Sequence, residues 1–298
     1  MAITLIAVVV ALALGHAAPA FARSVREYGW FGNWLRWLDR KLPGEGFWRG
    51  RYGVVVALLP PLLLVLLFQV ALGDALFGLA ALVFAIGMLF YAWGPRDLDV
   101  DVDAVLSAED PGTRRAAAER LGAASTDAPS LVDAVFRGAQ RRWFGVLFWF
   151  LVLGPFGALL YRLSALAAEA GSEGALAIET AAGARWLHAL LDWPVAQLMT
   201  LAMALVGSFD TVVGAWKDHG GAGFDLDAGF LAAAGRASVR AEVAEEVRDY
   251  VEEGVTGTGI AVQMGEMPEL RDAMGLAWRI LLAWLAVLAL FVLAGWVA

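Results

Sequence analysis

Four carboxylates stand at alternate positions in Arg96-Asp-Leu-Asp-Val-Asp-Val-Asp103. Held extended, Asp97, Asp99, Asp101 and Asp103 would share one face and offer the oxygen ligands that Mg²⁺ or Ca²⁺ takes. Held as a helix start, one or two would cap free N–H groups and favour the dipole, leaving the others to solvent. The helix start is the better reading of the two, so no cofactor is expected, and a divalent cation belongs to the extended alternative alone. Elsewhere, Asp210 falls within the last turn of an apolar run, where a buried carboxylate needs a partner or water. Arg279, at a similar depth in the last apolar run, is the expected partner. Tyr161, Arg162 and Asp192 complete a candidate polar cavity between apolar segments. Arg141, Arg142 and Arg162 sit at segment boundaries, where arginine ordinarily reaches toward lipid headgroups.

The usual catalytic signatures are missing. No G-x-x-x-x-G-K-[ST] run precedes either lysine, so there is no phosphate-cradling loop of that type. His16, His188 and His219 are far apart and pair with no carboxylate at metal-binding spacing, which argues against a zinc hydrolase. The chain has no cysteine, hence no disulfide and no thiolate nucleophile. Its net charge of -8 argues against nucleic-acid binding.

The elements that must position these residues are apolar helices. With 60% hydrophobic and 17% charged residues, the chain carries more apolar surface than a soluble core can hide, and several uncharged runs approach the length that crosses a bilayer. We therefore expect an all-α, polytopic membrane helix bundle of about five spans. Residues 1–51 comprise an apolar helix, Ala2 to Leu14, and an interfacial amphipathic helix with Trp30, Trp34, Trp37 and Leu38 at helical spacing. The apolar run is read as retained, although a leader cleaved near Ala18 to Ala22 is conceivable. Residues 52–93 form a transmembrane hairpin turning at Gly73-Asp74, with a kink at Pro60-Pro61. Residues 94–142 form a helical extramembrane region, with Asp110 capping a helix that starts at Pro111 and another starting at Ser125-Thr126-Asp127. Residues 143–213 hold spans 3 (Trp143 to Leu163) and 4 (Trp193 to Val213) around a short loop. Residues 214–275 form a second polar region, helical over Ala228 to Glu253 and then flexible over Gly254 to Gly265. Residues 276–298 are the fifth span.

Arginine and lysine are dense before the first span, between the second and third, and between the fourth and fifth, whereas the 164–192 loop carries only Arg185. The positive-inside rule then puts 94–142 and 214–275 in the cytoplasm of a bacterial inner membrane, and the 164–192 loop and the C-terminus in the periplasm.

Several short stretches carry a resemblance. Leu147-Phe-Trp149 with Gly154-Pro-Phe-Gly157 and Tyr161-Arg162, Leu191-Asp-Trp-Pro194, Val206-Gly-Ser-Phe-Asp210 with Trp216, and Arg279 through Gly295-Trp296 together resemble the AmpE family of inner-membrane proteins. That family is described as a signalling modulator of β-lactamase induction and is distantly similar to the CobD/CbiB cobalamin-biosynthesis membrane synthases. Those synthases carry an acidic stretch before the Leu-Phe-Trp and an Asn- and Asp-bearing stretch after the Tyr-Arg. Here the corresponding places hold Arg137-Gly-Ala-Gln-Arg141 and Ala165-Leu-Ala-Ala168. The resemblance thus implies the scaffold and a non-enzymatic regulatory or accessory role in cell-wall recycling. The alternative is a diverged synthase-like enzyme or small-molecule binder using Tyr161, Arg162, Asp192, Asp210 and Arg279. The expected partners are the lipid bilayer and a cytoplasmic or membrane protein, and the chain could also form a homo-oligomer.

Overall fold

The computed structural model describes residues 2–17, 24–42, 46–73, 78–94 and 97–294. Asp74, the Ala18 to Ala22 stretch and Gly295-Trp296 lie outside the described residues. Secondary structure among the described residues is entirely helical. The chain forms two compact units, Met1–Pro95 with Arg141–Asp192 and Ala289–Ala298, and Arg96–Gln140 with Trp193–Leu288.

The first unit begins with α1 (Ala2–Ala17) and α2 (Gly29–Lys41), followed by a short 3₁₀ turn at Phe47–Arg49 and then α3 (Gly53–Ala71) and α4 (Leu79–Ala92). In α2 the buried stripe is Phe31, Leu35 and Leu38, while Trp30 and Trp37 stay exposed. This suits a helix with one face on protein and a tryptophan fringe for an interface. The proline pair lies inside α3 without ending it. Pro61 has no N–H, so the carbonyl of Ala57 one turn earlier loses its helical donor. Trp34 Nε1 supplies the replacement, 3.0 Å from Ala57 O, and Trp34 itself stacks on Trp37.

The C-terminus of α4 is capped by side chains from three places. Arg26 donates to Phe90 O (3.0 Å) and Gly94 O (3.3 Å), Tyr28 donates to Tyr91 O, and Arg162 donates to Ala92 O (2.8 Å). Helix-end carbonyls have no partner within the helix and concentrate the negative end of its dipole, so two guanidinium groups there satisfy both demands. Burial pushes the Tyr28 hydroxyl up to about 12, which keeps it a donor.

The expected single third span is instead a hairpin. A π-helical turn at Gln140–Phe144 leads into α8 (Gly145–Leu153), which stops at Gly154 (φ 67°) before α9 (Pro155–Ser172) begins. Nine residues rise only about 13 Å, too little to cross a bilayer. Glycine alone accepts that φ readily, Pro155 starts the new helix, and α9 packs back along α8. Gln69 of α3 clasps the turn: its Nε2 donates to Leu153 O (3.2 Å) and its Oε1 accepts from Phe156 N (2.9 Å). Non-helical backbone at membrane depth needs such partners. Gly145 and Gly157 let the arms close up, since a Cβ on Gly145 would sit 2.0 Å from the Tyr161 ring and one on Gly157 2.0 Å from Trp149 O.

Next comes α10 (Ile178–Val206), which runs unbroken through Asp192 and Pro194 rather than starting there. Thr180 Oγ1 donates to Trp48 O (2.6 Å), and Gly183 lies against Arg51 O. The α9–α10 loop therefore sits at the end of α3 from which the N-terminal segment enters, not the opposite end as the basic-residue count implied.

The second unit contains α5 (Leu98–Leu106), α6 (Pro111–Leu121), α7 (Ala128–Ala139), α11 (Phe209–Asp218), α12 (Gly229–Glu252), α13 (Gly257–Met264) and most of α14 (Pro268–Leu293). Asp110 caps α6 through Gly112 N and Thr113 N, and Asp127 caps α7 through Ser130 N, both as the sequence indicates. Gly254 to Gly265 is not a plain connector, because α13 forms within it. In α14 the buried residues end at Leu281, so the later residues present an exposed apolar surface.

Among the described residues, three helices, α3, α10 and α14, are long and apolar enough to span a membrane, and α1 and α4 are shorter apolar helices. The protein is a helical membrane bundle.

Candidate functional site

A cavity of about 450 Å³ opens between α9 and α10 in the first unit. Two stripes line it. On α9 the residues are Ala165, Ala168, Glu169 and Ser172, followed by Glu173; on α10 they are Arg185, His188, Ala189 and Asp192. Offsets of three and four place side chains on one face of a helix, so two such stripes meeting across a hairpin leave a groove wherever one of them is alanine. Arg141 joins them from the π-helical turn, an element often found at functional sites. The rim is charged and exposed, with Arg141, Arg185, Glu169 and Glu173, whereas His188 and Asp192 form a buried floor.

Behind the floor, Tyr161 is completely buried and donates its hydroxyl to Asp192 Oδ1 (2.5 Å). His188 Nε2 lies 3.3 Å from Asp192 Oδ2, within ion-pair range but outside hydrogen-bonding geometry. Its Nδ1 is 3.3 Å from Ser164 Oγ. Ser164, His188 and Asp192 follow the order of a hydrolytic triad, yet the arrangement is not nucleophilic. Ser164 is fully buried and donates its hydroxyl to Tyr161 O (2.7 Å), so it neither meets a substrate nor gives its proton to the imidazole. Because that proton is committed, Nδ1 carries the hydrogen toward Oγ. Nε2 is buried beside Asp192 Oδ2, so the two residues form a polar floor beneath the cavity.

The residues singled out from sequence distribute as follows. Tyr161 and Asp192 meet in this floor. Arg162 is 4% exposed and donates to Ala92 O and to Arg141 O (3.3 Å). It is a cap that fixes the π-helical turn and hence the position of Arg141, not a ligand contact. Asp210 and Arg279 belong to the second unit and do not pair. Arg279 binds Glu242 and reaches Val206 O, while Asp210 is exposed in the first turn of α11, where a helix dipole favours a carboxylate.

The aspartate run lies in α5, so alternate positions point in different directions rather than sharing one face. Asp97 occupies the N-cap position, Asp99 accepts from Trp278 Nε1 (2.8 Å), Asp101 is 4% exposed and Asp103 is exposed. No cluster of three or more metal-ligating side chains occurs among the described residues, and the helix overturns the shared-face cation site. Burial pushes the Asp99 carboxyl above its usual range, against the Trp278 hydrogen bond, and Asp97 adds repulsion in the same upward direction.

Sequence reasoning missed Arg141, Glu169, Glu173, Arg185 and His188 as a set. The usable signal was His188 and Asp192 one helical turn apart, in line with Arg185.

No protein-family model matches the chain, and no solved structure does. Among curated proteins the likeness is distant. The chain is similar to the cobalamin biosynthesis protein CobD of Chromobacterium violaceum. The two are 29% identical over 205 residues, a stretch that covers 65% of this chain and 65% of that protein. The chain thus matches just under two thirds of the length of CobD. The likeness to AmpE rests on its short motifs alone.

Proposed function

We propose that this protein is a membrane-embedded binder of a small polar ligand, acting as a regulatory or accessory component on a scaffold related to CobD. The observation that carries the reading is the α9–α10 cavity, with its arginine-bearing rim and its buried His188–Asp192 floor. Arg141 and Arg185 suit an acidic group, and His188 with Asp192 suits a hydrogen-bond donor at the other end of the ligand. Arg141, Ala165 and Ala168, which stand where the CobD/CbiB resemblance expects catalytic acids and amides, line this same cavity. A pocket kept while those groups are replaced fits recognition better than synthesis. Following the AmpE resemblance, the process served is cell-wall recycling and β-lactamase induction in a bacterial inner membrane, with the two polar regions facing the cytoplasm.

The test is thermal unfolding of the full-length protein in detergent with anhydro-muropeptides, aminoalkyl phosphates and corrinoid precursors. A ligand at about 100 times its Kd adds about 2.7 kcal/mol of stability. We expect one class to stabilise the wild type and not Asp192→Asn or Arg185→Ala. Wild-type and deletion strains with identical β-lactamase induction would sink the regulatory role even if binding held.

A second reading, a diverged enzyme, is favoured by Glu169, Glu173 and Asp192, which keep three carboxylates in the cavity. Turnover of a corrinoid precursor by the purified protein would establish it, and binding without turnover would retire it.

A further inference from the structure

Within the second unit, the last turns of α10 and the helix α11 enclose a groove of about 310 Å³ that shares no residue with the α9–α10 cavity. Thr200, Leu201 and Ala204 form one stripe on α10, at offsets that share a helix face, and Val212, Val213 and Trp216 form the facing stripe on α11. The polar side chains of the wall are already engaged. Thr200 Oγ1 donates to Ala196 O (2.9 Å), Trp216 Nε1 donates to Gln197 Oε1 (2.9 Å), and Gln197 Nε2 donates to Gly221 O (2.8 Å). The surface left to a ligand is hydrocarbon.

The groove cannot close on itself, because Trp216 is fixed on two sides. Gln197 holds its ring N–H, and a Cβ on Gly221 would stand 2.1 Å from the ring, so the turn at Gly221 is pressed against it. A gap with immobile walls forfeits dispersion contacts until something fills it. The groove also opens along a membrane-spanning helix. Leu201 and Leu205 of α10 are 55% and 71% exposed, and the exposed Phe209 carries that apolar surface onto α11.

We propose that this groove holds one acyl chain of a membrane phospholipid. Its continuity with the lipid-facing surface of α10 decides the occupant. An acyl chain entering sideways from the bilayer brings no polar group to be paired, whereas a peptide segment would bring backbone N–H and C=O groups that these walls cannot satisfy. The gain comes from packing and not from escape from water, because neighbouring lipid is as apolar as the groove. Rigid walls give the chain contacts that fluid lipid does not, with the Trp216 ring as the largest flat one. The exposed Lys217 and Asp218, one charge of each sign, follow Trp216 at the end of α11. The site therefore selects by chain and not by headgroup.

The experiment is native mass spectrometry of the delipidated full-length protein in detergent, titrated with dioleoylphosphatidylcholine or dioleoylphosphatidylglycerol. We expect one phospholipid to bind well ahead of any other, with the same affinity for either headgroup. Ala204→Leu and Val213→Phe, which fill the groove, should weaken that first binding event about tenfold. Leu205→Trp, which adds bulk on the exposed surface outside the groove, should leave it unchanged. Val213 is only partly buried, so Val213→Phe keeps the test open if Ala204→Leu does not fold. Graded binding with no preferred first lipid, or a first event that survives Val213→Phe, would overturn the proposal by reducing the contact to ordinary bilayer solvation. A headgroup preference of about tenfold would overturn it too, by moving the site to charged residues. So would a dimer that is lost in Val213→Phe, which would assign the groove to a second copy of this chain.

Discussion

Arg162 illustrates how a side chain can look like a ligand contact and be a structural one. Its guanidinium is enclosed, with backbone carbonyls of α4 and of the π-helical turn as acceptors. Replacing it with lysine keeps the charge but loses the fork that spans two acceptors. We expect Arg162→Lys to lower stability by about 2 kcal/mol, the scale of a lost hydrogen bond to a charged group. Ligand affinity should fall only as far as Arg141 shifts, which a binding isotherm measured well below the melting point would separate.

Asp99 makes the complementary case. Its folded-state carboxyl titrates above the unfolded one, so ionisation favours unfolding. Stability contributed by the protonated form is present below the unfolded value and is lost as pH rises through the folded value. Asp99→Asn, which keeps an acceptor for Trp278 Nε1, should therefore be no less stable than wild type at pH 7 and should lose that advantage on acidification. Denaturation midpoints of both proteins between pH 4 and pH 8 would check the sign.

At the scale of elements, the Gly154 turn and the proline pair pose the same problem, a backbone group stripped of its helical partner in an apolar setting. In each case a side chain from another helix answers it. Gln69→Leu would leave Leu153 O and Phe156 N without their partner, and Trp34→Phe would do the same to Ala57 O. Each is expected to cost about 1–3 kcal/mol, Gln69→Leu the more because it strands two groups, as thermal melts of the variants would read out.

These two sites also mark what the sequence could express. Caps such as Asp110 and Asp127 are local, and the sequence places both correctly. The turn at Gly154 was not legible, because the apolar run from Trp143 to Leu163 reads the same whether it crosses or doubles back. What decides is Gln69, over eighty residues away. The cavity was half legible for a similar reason. Tyr161 and Asp192 stood out as polar residues in apolar runs, but the pairing of stripes from α9 and α10 depends on how the hairpin closes.

Over the whole molecule, placing Thr180 against Trp48 changes the expected sidedness of the chain. The absence of cysteine makes this directly measurable, since a single introduced thiol is unique. Ala175→Cys and Phe47→Cys, both at exposed positions, should react with a membrane-impermeant maleimide from the same side of sealed vesicles. Labelling from opposite sides would restore the arrangement inferred from basic residues.

The clasp on the Gly154 turn bears, finally, on how the protein is made. During synthesis α3 emerges well before α8 and α9, and until the turn arrives the Gln69 amide stands in an apolar helix with its two turn contacts unmade. The hairpin, for its part, is too short in its first arm to be threaded as an ordinary span. Insertion of each therefore waits on the other, and the late segment completes the early one. Truncated chains ending before residue 154 should be recognised as incomplete by membrane quality control, while those ending after α9 should not. Pulse-chase lifetimes of such a nested series would show where along the chain the bundle first becomes durable.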